Sequence, residues 1–188
     1  MKILLFSTYR TGSHALMNWI CRELKLTRIS EIEEISVEDD FIVKRTLESV
    51  NFNFEDEYKK YDKVIILYRR DTVKQAESNF YATKNETWHE FKYELPQEEI
   101  DNHFHRIKGA KGTFDIGNEY FININVTNCL KVTYEDIFYE GIGQKEIEDY
   151  LEFKSKSKLQ NLKNKLRIDN NTLNLQCQEV HKIKRNLI

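Results

Sequence analysis

The sequence predicts a three-layer α/β domain with a central, mainly parallel sheet flanked by helices. Residues 2–6 and 63–68 are short, nearly continuous apolar runs, which is typical of strands buried on both faces of a parallel sheet. Each run leads through a short polar segment into residues whose apolar members recur at helical spacing. Buried strands that alternate with helices favour this architecture, with right-handed crossover connections between the strands.

The first part of the chain contains a strand, a tight loop and a helix. The strand covers residues 2–6, and the helix begins near Ser13, because apolar residues recur at helical spacing over residues 16–24. Residues 30–40 are dense in Glu and Asp and are predicted to form a loop or a broken helix. Residues 41–44 are predicted as a second, short strand.

The second part of the chain repeats this pattern. Residues 63–68 are the clearest buried strand, and Asp71 after it is placed to cap the next helix. Residues 86–126 are predicted to be mostly helical, with polar interruptions. A last strand is expected at 130–134, followed by an acidic turn, and the Lys- and Asn-rich tail from residue 154 has only a weak helical signal.

Composition narrows the possible functions. A chain of 188 residues is most simply one domain, covering residues 1–188, and it is long enough to bury a core. The net charge of −2 argues against the large basic face of a dedicated nucleic-acid binder, so no nucleic-acid partner is expected. The three cysteines are widely spaced without a C-x-x-C pair, and no stretch is long enough to span a membrane. These features predict a cytoplasmic protein with free thiols.

The loop after the first strand, FSTYRTGSHAL at residues 6–16, has the outline of a phosphate-binding loop. Ligands of such sheets sit at the carboxyl ends of the strands, and a helix N-terminus favours an anion through its N–H groups and its dipole. Gly12 allows a close approach of the backbone, Ser13 adds a hydroxyl donor, and Arg10 adds a fixed positive charge. An ordinary strand-to-helix turn with a Ser cap is the alternative.

A second candidate anion site follows the strand at residues 63–68. Arg69 and Arg70 stand at the end of this buried strand, where they are costly unless they meet an anion or lie at the surface. Ser78 lies two turns into the next helix and could point back toward the same spot. Two anion sites on neighbouring strand ends suit a ligand with phosphate groups at both ends of a nucleoside.

Together the two motifs carry a resemblance. A strand followed by S-x-x-R-T-G-S-x-x-L, and then R-R-D-T-V-K-Q-A-E-S-N-F-Y-A-T-K-N-E-T-W, resembles the sulfotransferases that use 3′-phosphoadenosine-5′-phosphosulfate (PAPS), most of all the bacterial carbohydrate branch typified by trehalose sulfotransferase. The element at residues 132–136 resembles a strand-to-turn element of the same enzymes. This resemblance implies a P-loop-like fold. By the resemblance, the 5′-phosphosulfate is held by Arg10, Thr11, Gly12, Ser13 and His14. It likewise implies that the 3′-phosphate is held by a motif matching Arg69 or Arg70, Asp71, Gln75, Ala76, Ser78 and Trp88.

The resemblance also implies the chemistry: transfer of a sulfuryl group from PAPS to a hydroxyl of a carbohydrate or other small acceptor. No metal is expected, because Arg10 and the loop N–H groups can neutralise the charge that develops on the 5′-phosphate. The catalytic base of the bacterial branch corresponds to Glu31, although other acids crowd residues 31–40 and leave the choice among them open. Lys44, at a strand end, is a candidate contact of the transferring sulfuryl group, and His14 is a candidate donor to the sulfate or proton shuttle.

Two other functions remain open from the sequence. A P-loop-like kinase is the weaker alternative, because the loop lacks the Gly-Lys-Ser/Thr of a triphosphate site. A non-catalytic nucleotide-binding module of the same fold would keep the anion sites and lack acceptor chemistry. The side chains of Trp88, His89 and Phe91 could line an acceptor cleft or simply pack.

Overall fold

A central parallel sheet organises the described part of the chain. The computed structural model describes residues 1–29, 40–47, 54–85 and 95–156. Within these ranges the sheet contains five strands: β1 (Lys2–Ser7), β2 (Thr27–Ile29), β3 (Phe41–Thr46), β4 (Lys63–Tyr68) and β5 (Cys129–Thr133). Their order across the sheet is β2-β3-β1-β4-β5, and every pairing is parallel.

Helices connect these strands. Those described are α1 (Ser13–Leu24), α2 (Phe54–Glu57), α3 (Thr72–Asn85), α4 (Gln97–Asn102), α5 (Phe104–Asn123) and α6 (Ile142–Tyr150). A 3₁₀ turn at Tyr58–Lys60 follows α2, and a π-helical turn at Asp136–Glu140 precedes α6. As predicted, Asp71 caps α3, because its Oδ1 accepts a hydrogen bond of 2.9 Å from the N–H of Lys74.

Both faces of the sheet are covered, which gives the three layers. On one face Ile3 and Leu5 of β1 pack in a cluster with α1, the π-helical turn and α6, and this cluster contains the fully buried Trp19. On the other face Leu4 and Phe6 pack with α2 and α5. Burial of one such side chain contributes about 1.5–3 kcal/mol. The apolar runs of the sequence therefore became strands because both of their faces lie in a core.

The register of the sheet places two loops side by side. Ser7, the last residue of β1, pairs with Leu67 of β4 on one side and with Thr46 of β3 on the other. Tyr68 of β4 pairs in turn with Thr133 of β5. Because all of these strands are parallel, the loops that follow β1 and β4 leave the same edge of the sheet as neighbours.

Most of the predicted elements are confirmed within one or two residues, whereas three elements of the described ranges were missed: β2, the four-residue helix α2, and α6. β2 escaped notice because it is a three-residue edge strand with two exposed polar residues, so it has no apolar run. α6 was missed because Gly141, at a φ of 76°, ends the acidic turn and a helix rich in charged residues follows. The described residues 95–126 are mostly helical, as expected. Residues 30–39, 86–94 and 157–188 lie outside the described ranges, so the expectations for them stay predictions.

Candidate anion-binding site

The loop between β1 and α1 has a tight backbone conformation. Arg10 has a φ of 61° and Gly12 a φ of 74°, both in the left-handed region. Glycine adopts this conformation freely, whereas for Arg10 it costs on the order of 1 kcal/mol. The hydroxyl of Thr11 donates to the carbonyl of Thr8 at 3.0 Å and closes the turn. α1 then begins at Ser13 with Gly12 as its N-cap residue, so the first N–H groups of the helix are at the loop.

The element after β5 packs on this loop. A Cβ atom at Gly12 would lie 2.7 Å from Cε2 of Phe138 and 3.2 Å from Cδ2 of Tyr134. From the sequence, we interpreted Gly12 as the residue that allows the backbone to approach a ligand closely. The structure shows a second reason for glycine at this position, because the ring of Phe138 occupies the space that a side chain at Gly12 would take.

The two predicted anion sites meet at one hydrogen bond. Nε of Arg10, in the first loop, donates to Oγ of Ser78 on α3 at 2.8 Å. Ser78 is only 3% exposed, and the two residues are 68 positions apart in the chain. The sequence placed Arg10 and Ser78 in separate anion sites on neighbouring strand ends, and their side chains are in direct contact.

Arg69 lies beneath the first loop. Its side chain is buried, at 6% exposure, and its guanidinium carbon is 4.5 Å from the centre of the Tyr134 ring. Nη1 donates to the carbonyl of Arg10 at 3.5 Å, and Nε is 3.7 Å from the Glu135 carboxylate. Within the described part of the chain, Nε has no hydrogen-bond partner. Arg69 is therefore the arginine of the pair that touches the loop of Arg10.

Arg70 points instead toward the acidic turn after β5. Its side chain is 49% exposed, and Nη2 contacts Asp136 at 3.1 Å and also Glu140. The hydrogen bond to Glu140 is the main cause that raises the pKa of Arg70 above its ordinary value. Glu135 accepts the backbone N–H groups of Arg70 and Asp71 at 3.0 and 3.1 Å. The acidic turn therefore already compensates the charge of Arg70.

A basic cluster lies on the other side of the first loop. It consists of His14 on α1, Arg28 on β2 and Lys44 on β3. Nη2 of Arg28 is 3.0 Å from Nδ1 of His14, and Nζ of Lys44 is 2.9 Å from Nε2 of the same ring. Arginine and charged lysine can only donate hydrogen bonds, whereas a neutral imidazole accepts at only one of its two nitrogens, so His14 can accept from Arg28 or from Lys44 but not from both. Because donors outnumber acceptors in this cluster, a negatively charged oxygen beside it would be favourable.

Sequence reasoning missed two residues of the site, Arg28 and Asn118, and grouped a third, Gln75, with a different part of it. Arg28 belongs to the unpredicted edge strand β2, so nothing in the sequence tied it to the first loop. Gln75 was grouped with the 3′-phosphate motif, whereas its side chain is fully buried and faces Thr8 beneath the first loop. Asn118 on α5 completes this contact from a distant part of the chain. No local pattern in the sequence marks it.

The predicted base and the predicted acceptor-cleft residues belong to segments outside the described ranges. Glu31, Trp88, His89 and Phe91 lie outside the described residues, so the base and the acceptor cleft stay predictions. Within the described ranges, no group of three or more His, Cys, Asp or Glu side chains is arranged to hold a metal ion. In the same ranges, no helix combines the length and the apolar character needed to span a bilayer.

Comparisons with known proteins identify the fold. No family model and no curated protein sequence matches this chain. Sixteen chains of solved structures match, among them the mouse sulfotransferase SULT7A1 in its complex with PAP, with a TM-score of 0.56 and 18% sequence identity. The match covers 87% of this chain and 62% of the mouse chain, so this chain spans less than two thirds of that protein. The protein therefore has the P-loop-like α/β fold of a sulfotransferase, which confirms the predicted fold class.

Proposed function

We propose that the protein is a PAPS-dependent sulfotransferase that moves a sulfuryl group to a hydroxyl of a small acceptor. The observation that carries this proposal is the hydrogen bond between Arg10 and Ser78, which brings together the two sites expected to hold the 5′-phosphosulfate and the 3′-phosphate of one nucleotide. The shared fold with a sulfotransferase complexed with PAP supports it. PAP, adenosine 3′,5′-bisphosphate, is what remains of PAPS after sulfuryl transfer.

The first loop holds the 5′-phosphosulfate in this proposal. Its contacts come from Arg10, Thr11, Gly12, Ser13 and His14. The N-terminus of α1 supplies N–H groups and a favourable dipole, and Arg10 supplies a charge-assisted hydrogen bond. The left-handed conformation of Arg10 supports this role, because strained residues of this kind cluster at ligand-binding loops.

The 3′-phosphate binds at Ser78 with help from Arg69. Arg69 contacts the backbone of Arg10, and its buried Nε makes no hydrogen bond to the described residues, although it lies 3.7 Å from the Glu135 carboxylate. Arg70 is the less favourable choice, because it points away from the loop toward three carboxylates that it already contacts, those of Glu135, Asp136 and Glu140.

Transfer requires an in-line arrangement of acceptor, sulfuryl group and 5′-phosphate. In this proposal the basic cluster of His14, Arg28 and Lys44 supplies positive charge that stabilises the sulfuryl oxygens. Glu31 is the proposed base, and no metal is required. We assign the protein to the bacterial carbohydrate branch on the sequence motifs alone, with a carbohydrate or another small hydroxyl compound as acceptor.

A thermal-shift assay tests the nucleotide site directly. Ligand present at 100 times its Kd stabilises the folded state by about 2.7 kcal/mol, which raises the Tm of a domain of this size by roughly 5–10 °C. We expect this rise with adenosine 3′,5′-bisphosphate and little change with ATP and magnesium. The reverse pattern would favour the kinase alternative and contradict the proposal. Bisphosphate binding without sulfate transfer to any acceptor of a broad panel would instead identify a non-catalytic module.

A further inference from the structure

A buried group of polar side chains lies directly beneath the first loop. Thr8 follows β1, Gln75 lies on α3 and Asn118 lies on α5, and all three are buried, with Gln75 at 0% exposure. Buried polar side chains are costly unless they are hydrogen-bonded. Their hydrogen bonds therefore show what these residues hold in place.

Each of the two amides binds a backbone carbonyl at one of the two anion-site loops. Nε2 of Gln75 donates to the carbonyl of Tyr9 at 2.5 Å and to Oγ1 of Thr8 at 2.8 Å. Nδ2 of Asn118 donates to the carbonyl of Arg69 at 2.6 Å. A carbonyl oxygen is only an acceptor, so the NH₂ end of each amide must face these two loops.

The same side chains also contact one another. Asn118 Nδ2 is 3.4 Å from Gln75 Oε1, and the Thr8 hydroxyl donates to Asn118 Oδ1 at 3.5 Å. These longer contacts connect the carbonyl before Arg10 to the carbonyl of Arg69 through three side chains.

The helix that carries Asn118 approaches the loop very closely. A Cβ atom on its neighbour Gly117 would lie 3.1 Å from Cγ2 of Thr8 and 3.1 Å from Cδ2 of Leu47. A larger residue at Gly117 would require the side chain of Thr8 or Leu47 to shift by a few tenths of an ångström. Gly117 and Asn118 therefore both contribute to the contact between α5 and Thr8.

We infer that Gln75 and Asn118 are positioning residues that lock the first loop to the end of β4, so that Arg10 and Ser78 are held in contact as one preformed site before any ligand binds. They touch the backbone of the two loops and act on the ligand through Arg10 and Ser78. The inference rests on the proposed function for the identity of the ligand, and on geometry alone for the locking of the loops. Preformed contacts increase affinity because the loop has less freedom to lose on binding.

The variants Thr8→Val and Thr8→Ser separate positioning from packing. Valine keeps the shape of Thr8 and removes the hydroxyl, whereas serine keeps the hydroxyl and removes the methyl group that packs near Gly117. If the hydroxyl network positions the loop, Thr8→Val should weaken binding of adenosine 3′,5′-bisphosphate about tenfold, and Thr8→Ser should stay within about twofold of wild type. If the site matters only for packing, the order of the two variants reverses, which would overturn the inference.

Isosteric acids test the amides themselves. Asn118→Asp and Gln75→Glu replace a donor by an oxygen that faces a carbonyl, so each should weaken bisphosphate binding at least tenfold while circular dichroism stays unchanged. Asn102→Asp is the matched control, because Asn102 is exposed on α4. Wild-type affinity in a folded Asn118→Asp variant would contradict the inference. If that variant fails to fold, the Thr8 pair decides.

Amide hydrogen exchange of ligand-free protein separates this inference from the proposed function. Residues 9–13 should exchange several times faster in Thr8→Val than in Thr8→Ser, whatever ligand the protein binds. If wild type binds no bisphosphate but exchange follows this order, the proposed function fails and the locking of the loop stands. Equal exchange in both variants would overturn the locking, even where the bisphosphate binds.

Discussion

The two sides of the first loop are built differently. On the α3 side, the loop is held by buried side chains, with Ser78 3% exposed and Gln75 fully buried, and by short hydrogen bonds. On the β3 side, it meets the basic cluster, in which His14 and Lys44 are half-buried and Arg28 is exposed. Buried hydrogen bonds fix geometry, whereas exposed charges attract anions weakly and are screened by salt.

This difference indicates how the proposed reaction is divided. The nucleotide is the same in every turnover, and a rigid, buried site suits a ligand that does not change. Charges near the surface can serve a transferring group whose position shifts along the reaction. Variants on the two sides should therefore differ in size of effect and in response to salt.

The largest effect is expected from Arg10→Ala. Arg10 makes the charge-assisted contact between the two anion sites, and a hydrogen bond of a charged group contributes about 1.5–3 kcal/mol. Bisphosphate affinity, measured by isothermal titration calorimetry, should fall about 10- to 100-fold. Arg22→Ala is the control, because Arg22 is a half-exposed arginine in the last turn of α1, away from the first loop, and pairs with Glu23. Equal losses in both variants would show general charge attraction and no specific site.

A smaller effect is expected from Ser78→Ala, which removes one hydroxyl from the buried side. One neutral donor contributes about 1 kcal/mol, so affinity for the bisphosphate should fall about fivefold. Thr83→Ala on the same helix is the matched control, since its hydroxyl is bonded to the carbonyl of Asn79 and lies at the surface. If Ser78→Ala kept the wild-type affinity, Ser78 on α3 would not contribute to bisphosphate binding, which would contradict the proposed site.

Arg70→Gln should change bisphosphate affinity less than about twofold, because Arg70 is occupied by the acidic turn. Its ion pairs with Asp136 and Glu140 are solvent-exposed and should therefore contribute little to stability. The bisphosphate affinity of this variant is measured by the same calorimetric titration. A loss as large as that of Arg10→Ala would assign the 3′-phosphate to Arg70 and make the assignment to Arg69 wrong.

The smallest effect on the bisphosphate is expected from Arg28→Gln on the basic side. Bisphosphate has no sulfuryl group, so its affinity should stay within about twofold, while the rate of sulfate transfer from PAPS should fall a few-fold. Because Arg28 is exposed, the difference in rate should shrink as salt is raised. If Arg28→Gln lowered bisphosphate affinity and the loss did not depend on salt, both sides of the first loop would bind the nucleotide. The proposed division between a nucleotide side and a sulfuryl side would then be wrong.

The sequence predicted the fold well because the signals were local. Strands β1, β3, β4 and β5 are apolar runs, and the first loop stands between a run and a helical pattern. β2 could not be predicted in this way, since a three-residue strand with exposed polar residues exists only because β3 pairs with it.

The candidate site was predicted in part for the same reason. Arg10 and Ser78 were found because both follow buried strands in a fixed pattern. The choice between Arg69 and Arg70 depends on which way each side chain leaves the strand end, and Asn118 meets Thr8 from 110 positions away. No local spacing contains that information. Glu31 lies outside the described residues and remains a prediction.

The central claim is that the Arg10 loop and Ser78 hold the 5′- and the 3′-phosphate of one ligand. Titrating wild type and Ser78→Ala with adenosine 3′,5′-bisphosphate and with 5′-AMP tests it in a single cycle, because 5′-AMP lacks only the 3′-phosphate. We predict that Ser78→Ala weakens the bisphosphate about fivefold and leaves 5′-AMP unchanged. An equal change for both nucleotides, or no change for either, would contradict the account.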